Sequence, residues 1–319
     1  MDPQAQNRPR VSHLRAEAGD AGQRIDNFLV RILKGVPRSH VYRILRRGEV
    51  RVNGGRVRAA YRLEAGDEIR VPPVRRPDRS ITEGAPGYLL EKLEKAVLYE
   101  DKDLLAINKP SGIAVHGGSG LSHGVIEALR EMHGGQGELD LVHRLDRDTS
   151  GCLLVAKRRS ALRRLHALLR GGQVEKHYTA LLVGRWRRGK ASVTAPLRKN
   201  TLRSGERMVR VDAQGKPAHT DFVRRRRFSE ATLVEAVLHT GRTHQIRVHA
   251  AHMGHPVAGD SKYGDESGNR RLARLGLHRL FLHASTLIFP WGESGKKLRI
   301  LAPLDAELDA VLDKMIATD

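Results

Sequence analysis

The chain has 319 residues, of which 39% are hydrophobic and 29% are charged, a composition typical of a water-soluble globular protein. Its 57 lysines and arginines outnumber 36 acidic residues, so the formal charge is +21, which favours a polyanionic partner, nucleic acid before an anionic membrane surface. No apolar run reaches membrane-spanning length, and the first twenty residues lack the apolar segment of a secretory signal. The single cysteine, Cys152, lies in an apolar run, which predicts a core residue without a disulfide and favours a reducing cytoplasm.

A small N-terminal domain is predicted over residues 21–72, after a flexible tail at 1–20. The pattern indicates two amphipathic helices, the first ending near Gly35 and the second capped by Ser39. The residues predicted to face inward are Ile25, Phe28, Leu29, Ile32, Leu33, Val41, Ile44 and Leu45. A hairpin around Asn53-Gly54 and a strand over 67–71 follow.

Eight arginines fall between residues 36 and 62 of this domain, against one acid, Glu49. Such a run is often a solvated face, but its concentration on one helix–turn–strand corner favours a surface that follows phosphates. The arginines predicted to contact RNA are Arg38, Arg43, Arg46, Arg47, Arg51 and Arg56. The segment from Gln23 to Pro72 also resembles the small RNA-binding domain named after ribosomal protein S-four, which implies recognition of structured RNA by shape and backbone.

A proline-rich linker is predicted over 73–92, followed by a larger domain over 93–319. Within that domain the pattern indicates strands at 96–100, 104–108, 175–184, 280–283 and 298–301, with others through 193–227, and helices at 122–132, 160–169 and 304–316. After the second strand comes Lys109-Pro110-Ser111-Gly112, where Lys109 is suited to hold an anion at a rigid turn, although a solvated lysine is the simpler interpretation.

The most informative stretch is LVHRLDRDTSG at 141–151, a dense polar turn before the apolar run 152–156. A loop attached to a buried strand holds catalytic side chains rigidly. Asp146, two residues after Arg144, is a candidate for a carboxylate that acts as nucleophile or base. The alternative is an aspartate that caps a turn.

A second dense constellation, HTGRTHQIRVHAAHMGHPVAGDSKYG, spans 239–264. Thr243 is predicted to cap a helix, which places Arg242, His244, Gln245 and Arg247 near its start as candidate substrate contacts. The histidines His244, His249, His252 and His255 raise the possibility of a zinc site. Two features of the sequence argue against a metal site there. No general-base glutamate lies at the spacing found in zincins, and two arginines lie among the histidines, where their positive charge would repel a metal cation.

Together, NKPSGIAVHGG, HRLDRDTSG, KHYTALLVG and GRTHQIRVHAAHMGHPVAGDSKYG closely resemble the RluA-type pseudouridine synthases, in that family's order and spacing, from about Ala96 to Pro303. The resemblance implies an α+β fold, with a catalytic domain built on a large mixed, mainly antiparallel sheet. It also implies Asp146 as the catalytic carboxylate and Arg247 as the cation that pairs with it. Tyr178 would stack on the flipped base and is a candidate acceptor for its carbon 5 proton. Arg144 is implied as a wedge or phosphate contact.

Pseudouridine formation explains these residue types. The carboxylate either attacks the anomeric carbon or removes a proton from the neighbouring sugar carbon to give a glycal, and the sequence leaves both routes open. No cofactor or metal is expected. The expected function is isomerisation of uridine to pseudouridine at several sites of large-subunit (23S) ribosomal RNA, in the cytoplasm and without an obligate protein partner. The alternatives are a synthase acting on other ribosomal or transfer RNA uridines, and a non-catalytic RNA-binding assembly factor.

Overall fold

The computed structural model describes residues 11–33, 35–74, 84–117, 123–134, 139–201, 207–292 and 295–318. The chain divides into two compact units, Met1–Glu83 and Gly84–Asp319. Within the described ranges, no helix combines the length and the apolar character needed to cross a membrane. The domain boundaries at 72/73 and 92/93 stay predictions. A helix at Gly87–Glu94 occupies the end of the predicted linker, so any segment without regular structure is shorter than 73–92.

The N-terminal unit packs two helices on a four-stranded antiparallel sheet with strand order β1-β4-β2-β3. Its elements are β1 (Ser12–Arg15), α1 (Ile25–Ile32), α2 (Arg38–Arg46), β2 (Arg51–Val52), β3 (Gly55–Arg56) and β4 (Glu68–Val71). The apolar positions predicted to face inward form one core with the sheet. Asn53 and Gly54, both with positive φ, make the predicted hairpin turn.

Two predictions for this unit are corrected. The tail over 1–20 is not loose throughout, because β1 pairs with β4 from Ser12 to Arg15 and a short 3-10 helix follows at Ala18–Asp20. Residues 1–10 of that tail lie outside the described residues. Helix α2 begins at Arg38 after Pro37, so Ser39 lies inside the helix and does not cap it. A proline fixes φ near the value that a helix start needs, which explains the earlier start.

The second unit is built on a large mixed sheet in the strand order β10-β13-β14-β9-β15-β8-β6-β5, with β16 beside β15 and β7 beside β8. Its strands are β5 (Val97–Glu100), β6 (Leu104–Lys109), β7 (Asp140–Leu141), β8 (Ser150–Ala156), β9 (Glu175–Val183), β10 (Lys190–Thr194), β13 (His219–Arg227), β14 (Ala231–Leu238), β15 (Leu282–Pro290) and β16 (Lys297–Leu301). A separate two-stranded sheet pairs β11 (Leu197–Thr201) with β12 (Arg207–Val211). Among the strands of the described residues, every pairing is antiparallel except that of β15 with β8, so the predicted mainly antiparallel α+β architecture is confirmed.

The helices of this unit are α3 (Gly87–Glu94), α4 (Val125–Met132), α5 (Arg159–Arg170), α6 (Gln245–His252), α7 (Glu266–Ala273) and α8 (Ala306–Lys314). Two of them, α3 and α7, were not predicted. Helix α3 lies partly inside the predicted linker because Leu89 and Leu93, one turn apart, are buried against α4.

Strand β8 is buried on both faces. Leu153 and Val155 pack with α3 and α4, whereas Cys152 and Leu154 pack on the other face with α5. Alternation of side chains along a strand produces this division, and it explains the unbroken apolar run after the polar turn. Cys152 is fully buried, as predicted.

Gly151 joins the polar turn to the centre of this sheet. Its φ is +110°, and a Cβ atom there would lie 2.3 Å from the backbone oxygen of Ala284 on β15. Only glycine fits both requirements. The glycine that ends the sequence motif therefore lets the turn meet β15 at close range.

Candidate active site

A cavity of about 130 Å³ opens where the loop 144–149, the start of β9 and the segment 238–247 come together. This volume is below the roughly 300–1,000 Å³ of pockets for drug-sized ligands. It suits a small group such as a single base. Asp146, Tyr178 and Arg247 come from three distant parts of the sequence, and all three line the cavity.

Asp146 lies at this cavity with its side chain 25% exposed. One carboxylate oxygen is 3.7 Å from Nε2 of His244 and 4.0 Å from Nη1 of Arg247. Among the described residues, no group lies within hydrogen-bond distance of this carboxylate. Its oxygens are therefore available to a ligand in the cavity.

The loop that carries Asp146 is fixed by groups outside the cavity. The backbone N–H of Leu154 donates to Nε2 of His143 at 3.1 Å, which ties the loop to β8. Burial lowers the pKa of His143 to about 4, so the imidazole is neutral and free to accept this bond. Ser111 donates to the backbone oxygen of Asp148, which adds a contact from the preceding loop.

Lys109 corrects a prediction, since it does not face a ligand. Its side chain is fully buried, and the ammonium group donates to the backbone oxygens of Pro110, Ile113 and Arg147 at 2.8, 2.8 and 3.0 Å. An ammonium group has three protons, and all three are used. Burial lowers its pKa to about 7, opposed by the charges of Asp148 and Asp146. Lys109 therefore connects two loops and cannot hold an RNA phosphate.

Arg247 has a different main partner from the predicted one. It is 6% exposed and donates from Nε and Nη2 to both carboxylate oxygens of Asp260, each at 2.7 Å. Burial disfavours the Arg247 cation, but the bonds and charge of Asp260 outweigh burial and raise its pKa. The pKa of Asp260 is lowered because Arg247 and the N–H groups of Lys262 and Tyr263 outweigh its burial. Arg247 thus reaches Asp146 only with its remaining terminal nitrogen.

His244 is held from behind by Tyr263. The Tyr263 hydroxyl oxygen accepts from the N–H of Val209 at 3.0 Å and lies 2.8 Å from Nδ1 of His244. If the hydroxyl proton goes to Nδ1, the neutral imidazole carries its own proton on Nε2, which faces Asp146. Burial lowers the pKa of His244 despite the opposing charge of Asp146, which is consistent with the neutral form. His244 has φ +53°, a strained conformation for a histidine that aims its ring.

Tyr178 lies half-buried near the start of β9, between the apolar clusters on either side of it. Burial, and then the negative charge of Asp146, raise the pKa of its phenol well above the usual range. Within the described residues, its hydroxyl has no protein hydrogen-bond partner. The ring is thus a neutral wall of the cavity.

Gln245 lines the cavity, as a substrate contact would, but its side-chain amide is already hydrogen-bonded within the protein. It is 2% exposed, and its amide nitrogen donates to the backbone oxygen of His219 and to Thr220 Oγ1, both at 2.9 Å. Its amide oxygen accepts from Arg242 N and from the Thr240 hydroxyl. The amide is therefore committed to shaping the turn before α6. Helix α6 begins at Gln245 with His244 as its N-terminal flanking residue, so the predicted cap by Thr243 is wrong.

Two arginines remain exposed at the cavity. Arg242 lines it and donates from Nε to the backbone oxygen of Pro217 at 3.0 Å, which leaves its terminal nitrogens outward. Arg144 lines it beside Asp146, and none of the described residues pairs with its guanidinium. Both positions suit contacts with a bound nucleotide, and these two assignments stay predictions.

The histidines near α6 do not converge. His249 is buried between Thr220 Oγ1 and the backbone oxygen of Ala195, at 2.9 and 3.0 Å. His255 lies 3.0 Å from the backbone oxygen of Val183, and His252 is exposed. Each histidine therefore has a separate environment.

The arginines predicted to contact RNA in the N-terminal unit stay on its surface. Arg51 is partly buried. The others are exposed, namely Arg38, Arg43, Arg46, Arg47 and Arg56. Because Val41, Ile44 and Leu45 take the inner face of α2, its arginines point to solvent. Glu49 lies 3.8 Å from Arg47, a long contact at the surface.

Known proteins resemble the chain in both of its parts. The family model described as RNA pseudouridylate synthase matches residues 103–252, and the S4 domain model matches 23–69. Ribosomal large subunit pseudouridine synthase C of Pasteurella multocida (strain Pm70) is 56% identical over 95% of this chain and 93% of its own length. The protein of that name from Escherichia coli (strain K12) is 54% identical, covering 96% and 97%. The chain belongs to the RNA pseudouridylate synthase family.

Solved structures agree with this membership. The chain is similar to human RNA Pseudouridylate Synthase Domain Containing 1, with a TM-score of 0.60 and 27% identity over 73% of this chain and 91% of that one. For human RNA Pseudouridylate Synthase Domain Containing 4, the TM-score is 0.59 and the identity 29%, over 71% and 95%. The family and the N-terminal RNA-binding domain predicted from the motifs are confirmed.

Three residues of this synthase site were missed in the sequence. Asp260 and Tyr263 stand in the motif GDSKYG, and His143 opens HRLDRDTSG, yet none was assigned a role. A buried arginine needs a carboxylate partner, so the search for one near Arg247 would have pointed to Asp260. The sequence carries no comparable signal for His143 or Tyr263. His143 accepts from a backbone N–H of the following strand, and Tyr263 contacts His244 and a backbone N–H of β12, and residue types do not reveal such partners.

Proposed function

We propose that this synthase isomerises uridine to pseudouridine at separate, specific sites of large-subunit (23S) ribosomal RNA. The observation that carries the proposal is the Asp146 carboxylate, open to a ligand, at a cavity of base size. The names of relatives that match over 95% of the chain support large-subunit ribosomal RNA as the substrate. The S4 domain supports binding of a structured RNA.

Asp146 is proposed as the catalytic carboxylate. In the reaction, the bond between uracil N1 and C1′ of the ribose breaks and the base leaves with the bonding electrons. Asp146 either forms an ester at C1′ or removes the C2′ proton to give a glycal. The base then rotates and C5 bonds to C1′. As this bond forms, the ester C–O bond to Asp146 breaks or, on the glycal route, C2′ regains its proton. The C5 proton then leaves, and N1 gains a proton. The atoms balance without a cofactor, since the leaving group is also the group that returns.

Arg247 and His244 are proposed to favour this chemistry by position. The bidentate bond to Asp260 holds the Arg247 guanidinium, so its Nη1 stays at 4.0 Å from Asp146 and does not cover both oxygens. Nε2 of His244 lies at a similar distance. Together they supply positive potential and a donor beside the carboxylate while leaving it free to react.

Tyr178 is proposed to hold the flipped base by stacking. Its raised pKa makes phenolate scarce near neutral pH, which argues against a phenolate that removes the C5 proton. Arg144, exposed beside Asp146, is proposed to occupy the space that the flipped base leaves in the RNA. The arginines on α2 and the β2–β3 hairpin are proposed to bind backbone phosphates.

We place the enzyme in the cytoplasm, since its only cysteine is buried and unpaired, which fits a reducing compartment. We further propose that it needs no obligate protein partner. Purified protein acting alone on a naked transcript would support this second point.

Tritium release tests the proposal. A large-subunit RNA transcript labelled with tritium at uridine C5 loses the label only when C5 bonds to carbon. We expect release with wild type and with Asp309→Asn, an exposed aspartate on α8, but not with Asp146→Asn. Equal release by Asp146→Asn would refute the catalytic assignment. Release only from small-subunit or transfer RNA would favour a different substrate, and tight binding without release from any RNA would favour an assembly factor.

A further inference from the structure

Three side chains outside the cavity converge at the ends of β13 and β14. His219 and Asp221 lie two residues apart on β13, so they project from the same face of the sheet. His239 directly follows β14, and its N–H donates to the backbone oxygen of His219 at 3.2 Å. We refer to His219, Asp221 and His239 as the His–Asp–His cluster. Among the described residues, it is the one group of three potential metal ligands whose donor atoms lie within 4.8 Å of one another.

Both imidazoles of the cluster turn the same nitrogen to the carboxylate. Nε2 of His219 lies 3.3 Å from Oδ1 of Asp221, and Nε2 of His239 lies 3.2 Å from Oδ2. The two rings stack with centroids 4.1 Å apart and planes inclined by 18°. The two nitrogens therefore face one carboxylate from adjacent positions.

Both N···O contacts are long hydrogen bonds, longer than those of a strong ion pair, and a metal ion has room to replace them. Charge-assisted N–H···O bonds are typically about 2.7–2.9 Å long. In a tetrahedral site with ligand distances of about 2.0–2.2 Å, neighbouring ligand atoms are about 3.3–3.6 Å apart. The N···O distances of the cluster are close to this second range.

We propose that the His–Asp–His cluster binds a divalent late transition-metal ion of the zinc class. Two imidazole nitrogens and one carboxylate oxygen supply three ligands, and water completes the coordination. This donor set favours Zn²⁺, Co²⁺ or Ni²⁺ over Mg²⁺ and Ca²⁺, which prefer oxygen ligands. The side chains of His219 and His239 are 36% and 45% exposed, so an ion reaches them from solvent.

Two neighbours compete with the ion. Nζ of Lys190 lies 3.3 Å from Oδ2 of Asp221, and the Ser192 hydroxyl lies 2.8 Å from Nε2 of His219. The Lys190 side chain is 63% exposed and has room to swing outward when an ion arrives. Because a lysine cation repels a metal cation, removal of Lys190 is expected to tighten metal binding.

The cluster borders the catalytic cavity without lining it. Leu238 and Gly241 line the cavity on either side of His239 in sequence. The N–H of His219 donates to Thr240 Oγ1 at 2.9 Å, so β13 already contacts this segment. A bound ion would add a link between β13 and the segment that leads to α6. None of the three cluster residues is proposed to take part in the reaction. Metal binding can therefore be tested without RNA.

The test uses the untagged full-length protein, stripped of metal. Co²⁺ is titrated in while its visible absorption is followed, since this absorption reports tetrahedral coordination, and Zn²⁺ is then added as competitor. We expect one Co²⁺ per chain, displaced by Zn²⁺. His239→Ala and Asp221→Asn should each bind at least about tenfold more weakly. Lys190→Ala should bind several-fold more tightly.

The matched control is His252→Ala, which removes an exposed histidine of α6 outside the cluster. It is needed because the chain has 16 histidines that could bind metal without forming a site. Melting temperatures without metal identify any variant that fails to fold. Equal weakening by His239→Ala and His252→Ala would overturn the proposal, as would the absence of saturable binding by wild type. Unchanged affinity in folded Lys190→Ala and Asp221→Asn would show a hydrogen-bonded cluster only.

Discussion

Arg247 donates two hydrogen bonds of 2.7 Å to Asp260, while its remaining terminal nitrogen stays 4.0 Å from Asp146. Two carboxylates thus share one buried guanidinium unequally. Asp260 fixes the arginine, and Asp146 stays free of hydrogen bonds from the described residues. This division allows one cation to support a reactive carboxylate without neutralising it by direct pairing.

Asp260→Asn is expected to leave the buried Arg247 without a charged partner. Loss of one partner of a buried ion pair typically costs about 3–5 kcal/mol, so the free energy of unfolding should fall by that order. Urea denaturation at neutral pH measures the change. Asp309→Asn, an exposed aspartate on α8, is the matched control and should change stability by less than about 0.5 kcal/mol. A loss for Asp260→Asn no larger than the control's would contradict the role of Asp260.

Lys109→Gln is expected to destabilise the fold and leave RNA affinity nearly unchanged. Three backbone oxygens lose their donor, and an unsatisfied buried polar group costs about 1–3 kcal/mol. Denaturation measures stability, and a filter-binding assay with the transcript measures affinity. The exposed Lys102→Gln provides the control for loss of one positive charge. If Lys109→Gln stayed fully stable but bound RNA tenfold more weakly, Lys109 would be an RNA contact after all.

The turnover rate should not climb tenfold per pH unit between pH 7 and 9. A phenolate base with a strongly raised pKa would produce that slope, because its ionised fraction grows tenfold per unit below the pKa. Single-turnover tritium release across this range provides the measurement. Tyr178→Phe keeps the ring and is expected to retain RNA affinity, whereas Tyr178→Ala should lose it in part. A tenfold slope in wild type that vanishes in Tyr178→Phe would establish the phenolate.

The free energy of unfolding should decrease as pH falls from about 6.5 to about 4. Folding lowers the pKa of His143 to about 4, so in this window the unfolded chain binds the proton that the folded chain does not. Stability therefore rises with pH here, by up to about 3 kcal/mol for this residue. Urea midpoints measured across the window in wild type and His143→Gln test this. His143→Gln should be less stable than wild type at pH 7, and its free energy of unfolding should change less with pH. Parallel curves for the two proteins would show that His143 does not cause the pH dependence.

The single substitutions Arg43→Gln and Arg46→Gln should each weaken RNA binding and reduce its salt dependence. Removal of one arginine–phosphate interaction should lower the slope of log affinity against log salt by about 1 in magnitude. Affinities from 50 to 200 mM salt give the slope. Arg299→Gln on β16 serves as a charge-matched control. If all three substitutions change the slope equally, only the overall charge matters, and the N-terminal surface does not bind RNA specifically.

The amino-acid sequence by itself determined most helices and strands, because these depend on local apolar periodicity and turn residues. The order and resemblance of its motifs implied the family, the N-terminal domain and the three residues that the structure brings together at the cavity. The tertiary structure decided which polar groups meet. Lys109 points inward because the loop that contains Arg147 brings a third backbone oxygen beside those of Pro110 and Ile113. Arg247 pairs first with Asp260 because the chain after α6 folds back and places this buried carboxylate against the guanidinium. The same holds for His219, Asp221 and His239, whose convergence depends on the register of β13 against β14. Residue types are local properties, but hydrogen-bond partners are set by long-range packing, and the chemistry of this site depends on those partners.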